Sequence, residues 1–122
     1  MKLQESGEMY LKTILRLSLQ QSTVHSIDIS EYMGYSKPSV SRAVGLLKKG
    51  GYIRIDEDNH ITLTDTGLAI AEKIYDRHTL LTTMLVQLGV PEEIAAQDAC
   101  KMEHAISDES LEAIRKHMEN YR

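Results

Sequence analysis

Cys100, Glu103 and His104 are the residues of this 122-residue chain whose types and spacing most invite chemistry. On a helix, positions i, i+3 and i+4 rise on one face, so a sulfur, a carboxylate oxygen and an imidazole nitrogen converge while Lys101 and Met102 point elsewhere. The trio offers soft, hard and borderline donors to a divalent transition metal, with a fourth ligand required from another segment. The same residues also read as ordinary helix composition, because cysteine is often buried as a small hydrophobe and Glu and His occupy many helix surfaces. A Cys/His nucleophile pair is a third reading. Adjacent helical turns do not reproduce the separate-segment geometry of thiol enzymes, and neither a glycine-rich loop nor an oxyanion element accompanies the trio, so no catalytic residue is assigned.

Charge is distributed unevenly. The formal net charge of −4 disfavours nucleic acid only as a global sum. From Tyr32 to Arg54 there is no acidic residue, while Lys37, Arg42, Lys48, Lys49 and Arg54 are all basic. From Pro91 to Glu112 the balance reverses, with Glu92, Glu93, Asp98, Glu103, Asp108, Glu109 and Glu112 against Lys101 alone. The first stretch suits phosphate and the second suits cations.

The elements that must position these groups are mainly helical. Hydrophobic residues are 42% and charged residues 26%, as expected of a folded globular chain, and the absence of Trp and Phe leaves Leu, Ile, Val, Met and Ala to build packed helices. Met9, Leu11, Ile14, Leu15 and Leu17 recur near the helical period and predict a first helix over about 5–19. Ser26 can cap a short helix to about Met33, Gly34 supplies a turn, and Ser36 can cap a second helix, with Pro38 in its first turn, that runs to about Lys49. "YIRID" and "HITLT" then read as a hairpin across the turn "EDN". A long helix capped by Thr64 or Asp65 runs to Gly89, with Leu68, Ile70, Ala71, Ile74, Leu81, Leu85 and Leu88 available for burial. Helices opened by Pro91 and capped by Ser107 follow.

Helix, turn, hydroxyl-rich second helix and hairpin make a winged helix-turn-helix pattern. Its candidate DNA-binding residues are Ser36, Lys37, Pro38, Ser39, Ser41, Arg42 and Lys48. The hydroxyls and helix N-terminus would meet phosphate, Arg42 could fork onto a guanine edge, and Lys48, Lys49 and Arg54 would position the helix on the backbone. The bland alternative is a solvated helix face beside a packing hairpin. The coincidence of helix order, turn and wing favours DNA.

The order winged helix-turn-helix, long helix with "RHTLL", then "DACKMEH" and "SDE" resembles the diphtheria toxin repressor and manganese transport regulator family of metal-activated repressors. The resemblance covers nearly the whole chain and implies a division into residues 1–64, a DNA-binding domain, and 65–122, a helical metal-binding and dimerisation domain. Cys100, Glu103 and His104 match clustered metal ligands, and Met9 in "GEMYL" matches the ligand from the first helix, although by its helical spacing alone Met9 reads as core. The Met and Cys pairing is that of iron-responsive members; manganese-type members carry Asp and Glu there. His78 matches a ligand of a second site, whose other positions depart from the family: Lys12 replaces a manganese-type Glu, Thr82 stands where the iron type is acidic, and Ala96 where it has His. The expectation is one good site, with His78 a weak ligand. The family's further SH3-like domain has no counterpart in this sequence.

The resemblance implies a homodimeric repressor that binds a palindromic operator in double-stranded DNA when loaded with Fe(II), with Mn(II), Co(II), Ni(II) or Zn(II) also able to bind, and that controls metal-homeostasis genes. The dimer surface is expected from Ile94, Ile106, Leu111, Ile114 and Met118. A lone cysteine and no apolar run of membrane or signal length place the chain in the cytoplasm, with no membrane partner and no small organic substrate. A winged-helix regulator without metal control and a metalloenzyme using Cys100, Glu103 and His104 are the competing readings. His25, His60 and His117 have no convergent partners and read as surface residues.

Overall fold

The structure, a computed structural model, describes residues 4–120. It is mainly α-helical with one small hairpin, in the order α1 (Glu5–Gln20), α2 (Ser26–Met33), α3 (Lys37–Lys49), β1 (Ile53–Ile55), β2 (Ile61–Leu63), α4 (Asp65–Gln87), α5 (Glu92–Met102) and α6 (Asp108–Asn120). Two compact units divide between Glu72 and Lys73, inside α4.

In the first unit α1 packs against α2, α3 and β2, and α3 packs against α2 and β1. Leu11, Ile14, Val24, Ile29, Val40, Val44, Leu47, Ile53 and Ile61 are buried there, aliphatic residues at helical or alternate spacing. Gly34, with φ 71°, closes α2 in the left-handed conformation, and Ser36 caps α3 by accepting from the Ser39 amide at 3.3 Å. The antiparallel hairpin pairs Ile53 with Leu63 and Ile55 with Ile61, and the Ile61 amide donates to the Val24 carbonyl at 2.8 Å, extending the sheet by one bond.

α4 begins at Asp65, and its residues through Glu72 belong to this unit. The Thr64 hydroxyl donates to the Gly51 carbonyl at 2.7 Å and accepts from the Gly67 amide at 3.1 Å. Gly67 lies so close to the β1 approach that a Cβ there would stand 2.0 Å from the Tyr52 carbonyl oxygen, so only glycine lets the first turn of α4 settle on the sheet.

In the second unit, Leu81 of α4, Ala99 of α5 and Leu111 of α6 form the buried core, with Leu80, Met84, Met102, Ile106 and Ile114 packed against it. Leu111, expected at a dimer surface, is therefore internal. Ser107 caps α6, accepting from the Ser110 amide at 3.1 Å. Among the described residues, no helix is long and apolar enough to cross a membrane.

Candidate metal centre and nucleic-acid face

α4 and α5 bring His78, Cys100 and Glu103 together, with one ligand atom of each lying within 4.8 Å of the others. His78 lies on the buried stripe of α4 that also carries Ala71, Ile74 and Leu81. Its Nδ1 is 3.0 Å from Glu103 Oε2 and 3.8 Å from Cys100 Sγ. Glu103 is fully buried, and its other carboxylate oxygen, Oε1, is 3.4 Å from His104 Nε2. The carboxylate thus stands between two imidazoles.

The donor set suits a first-row divalent metal. At bonds of about 2.0–2.3 Å, tetrahedrally placed donors stand roughly 3.3–3.6 Å apart, so an ion would open the 3.0 Å His78–Glu103 pair and close the 3.8 Å His78–Cys100 pair slightly. Burial excludes water that would compete for the ion, and the sulfur disfavours purely oxygen-loving cations.

Several details differ from the sequence expectation. His78, expected as a weak ligand of a second site, lies 3.0 Å from Glu103 Oε2 and 3.8 Å from Cys100 Sγ. α5 ends at Met102, so only Cys100 of the trio lies on regular helix. Glu103 continues the helical bonding by donating its amide to the Ala99 carbonyl at 2.9 Å. The turn then tightens, with the Ala105 and Ile106 amides both donating to the Met102 carbonyl. Met9 is half-buried on α1, within the first unit.

Arg77, the first residue of the RHTLL stretch and given no role by the sequence reading, lies beside this centre. Its buried guanidinium donates from one nitrogen, Nη1, to the carbonyls of Glu103 at 2.9 Å and Ile106 at 3.0 Å, and from Nη2 to the Asp108 carboxylate. The hydrogen bond from Arg77, then the charge of Lys73, holds the Asp108 carboxyl below the usual carboxylate range.

On the first unit, all the residues expected to meet DNA, Ser36, Lys37, Pro38, Ser39, Ser41, Arg42 and Lys48, are exposed, while Val40, Val44 and Leu47 bury the opposite side of α3. The first turn of α3 carries no acid and its last turn carries Lys48 and Lys49. The hairpin tip is acidic instead, with Asp56, Glu57 and Asp58 exposed. His25 and His60 do have partners: their rings meet edge to face with centroids 4.8 Å apart, and His60 Nδ1 is 3.1 Å from Asp56 Oδ2. Asp56, Asp58 and His60 also bring donor atoms within 4.8 Å. Asp56 Oδ1, however, already accepts from the Asp58 and His60 amides, each at 2.9 Å, and these bonds, that of His60 foremost, lower its pKa. This exposed set closes the hairpin turn.

Family models match both halves of the chain: residues 2–61 fit the iron dependent repressor N-terminal DNA binding domain, and residues 64–122 the iron dependent repressor metal binding and dimerisation domain. The chain belongs to the iron-dependent repressor family. The family consists of transcriptional repressors, not enzymes, which removes the metalloenzyme reading. An uncharacterized HTH-type transcriptional regulator of Methanocaldococcus jannaschii is 32% identical over 120 residues, covering 97% of this repressor-family chain and 96% of its own. The iron-dependent repressor IdeR of Mycobacterium tuberculosis is 32% identical, over 98% of this chain and 52% of its own. The solved structure of the manganese regulator SloR superposes with a TM-score of 0.83 at 30% identity, over 95% of this chain and 54% of that one. The chain therefore spans about half the length of the last two.

Proposed function

We propose that this chain acts as a homodimeric transcriptional repressor that binds a palindromic operator when loaded with a divalent metal, Fe(II) in the cell, and so controls metal-homeostasis genes in the cytoplasm. The observation that carries this reading is the convergence of His78, Cys100 and Glu103 in the half of the chain that matches a metal-binding and dimerisation domain.

The relatives' names point to iron for IdeR and manganese for SloR. The ligand types favour iron: the Cys100 thiolate, with the Met9 thioether as a further ligand from α1 and His104 as a further nitrogen, is softer than the oxygen-rich sets that suit Mn(II). Co(II), Ni(II) and Zn(II) fit the same donors in a test tube. A bound ion supplies strong directional bonds and a positive charge that offsets the thiolate and the Glu103 carboxylate. Cys100 must shed its proton to bind, so loading releases protons and weakens at low pH.

Metal loading, with Met9 as a further ligand, favours in this reading whichever of two arrangements of the protein binds DNA. The bias can be no larger than the ion's differential affinity for the two arrangements. At the operator, the Ser36, Ser39 and Ser41 hydroxyls and Lys37, with Pro38 shaping the first turn, meet phosphate; Lys48 anchors the far end of α3, and Arg42 reads a base edge. Two-fold symmetry gives each α3 one half-site.

Anaerobic operator binding with chelator, Fe(II) and Mn(II), in wild type and in Met9→Ala and Cys100→Ala, tests the proposal. Binding should require metal, favour Fe(II), and weaken at least ten-fold in both variants. Affinity that ignores chelator would favour the regulator without metal control, and metal dependence intact in both variants would refute the ligand assignment.

A further inference from the structure

We propose that Arg77 is the positioning residue of the metal centre: its buried fork fixes the turn that presents Glu103 to His78 and Cys100. The inference rests on the metal reading above, but its evidence is in the protein's own geometry. Arg77 and His78 are neighbours on α4, so one helical turn supplies both a ligand and the clamp for the ligand opposite. The last carbonyls of a helix lack intrahelical donors and sit at the negative end of its dipole, which a guanidinium answers on both counts. Here one Arg77 nitrogen takes the Glu103 and Ile106 carbonyls at 2.9 and 3.0 Å. The other takes the Asp108 carboxylate in the first turn of α6. The end of α5, the linking turn and the start of α6 are thereby held to one side chain.

The Glu103 side chain gains its orientation from this arrangement. Its backbone is pinned on one side by the hydrogen bond its amide donates to the Ala99 carbonyl at 2.9 Å and on the other by Arg77, and the carboxylate faces His78. Lys73, one turn earlier on α4, reaches Asp108 at 3.5 Å, and its side chain is largely exposed. It cannot substitute for the bonds to the carbonyls. Lysine at position 77 would keep the charge and lose the fork.

The test uses the full chain with Co(II) as probe, in Arg77→Ala, Arg77→Lys and Asp108→Asn. Metal affinity is read from the thiolate-to-cobalt absorption, and amide hydrogen exchange is measured on the metal-free protein. Arg77→Ala and Arg77→Lys should each weaken Co(II) binding about 10–100-fold, the range seen when supports of metal ligands are lost. Both should speed exchange of the Glu103, Ala105 and Ile106 amides while α2 and α3 keep wild-type rates. Asp108→Asn, which leaves both carbonyl bonds, should stay within about three-fold of wild type in affinity. Full recovery in Arg77→Lys would reduce Arg77 to a structural charge, and wild-type affinity and exchange in a folded Arg77→Ala would overturn the inference. If the wild type gives no thiolate absorption, the metal reading fails, and so does the role assigned to Arg77; the exchange data then report only whether the turn is clamped.

Discussion

Glu103 is a fully buried carboxylate between the imidazoles of His78 and His104, and beside it sits the chain's single thiol. A sulfur donor weights this group toward softer ions, so Cys100→Ser should abolish the thiolate-to-cobalt absorption. It should also weaken Fe(II) binding in a chelator competition by ten-fold or more, about 1.4 kcal/mol; Mn(II) affinity should fall less. Equal losses for both ions would contradict the softness argument. A second expectation concerns acid. Asp108 has a pKa held below its unfolded value, chiefly by the Arg77 hydrogen bond. Its contribution is therefore present above the unfolded carboxylate pKa and disappears as pH falls through the folded value. Thermal unfolding of Asp108→Asn should fall below wild type at neutral pH and coincide with it at strongly acidic pH. At this scale the candidate trio at 100, 103 and 104 follows from local helical spacing; the structure groups Cys100 and Glu103 with His78 and places His104 against Glu103. The meeting of His78 with Cys100 and Glu103 was not legible, because tertiary packing sets it, and within the RHTLL stretch nothing local gave Arg77 a role.

The elements themselves were largely legible because caps and breakers announce them: Ser36, Gly34, Thr64, Pro91 and Ser107 all stand where the structure turns. The end of α5 was not, since nothing apolar or proline-like separates Met102 from Glu103; the tightening of the last turn follows from the tertiary bonds to Arg77. Nor was the partnership of His25 and His60, which arises where the chain before α2 lies along β2. Gly67 carries a test of the junction between sheet and α4. Gly67→Ala should destabilise by about 2–3 kcal/mol through overpacking against the Tyr52 carbonyl. Gly45→Ala, on an open face of α3 where an added Cβ meets nothing within 4 Å, should stabilise by about 0.5–1 kcal/mol. Denaturant unfolding of the two variants measures both; similar effects would mean that the close approach at Gly67 is relaxed in solution.

Across the whole molecule, charge is segregated between a basic stretch on α3 and an acidic half that bears the metal ligands, which is why the net charge of −4 does not argue against DNA. Leu111 turned inward to the core, so the pairing surface must draw on residues left outside it; Ile94, half-exposed, and Leu88, 74% exposed, are available. Light scattering at micromolar concentration should give twice the chain mass for wild type, and Ile94→Glu should shift it toward the monomer if that surface pairs. A wild-type monomer would remove the palindromic operator from the account. The measurement closest to its centre is the anomalous-scattering map of a Co(II)-loaded crystal. The ion should lie about 2.3 Å from Cys100 Sγ and about 2.0–2.2 Å from a Glu103 oxygen and a His78 nitrogen. An ion bound elsewhere, with His78 still hydrogen-bonded to Glu103, would contradict it.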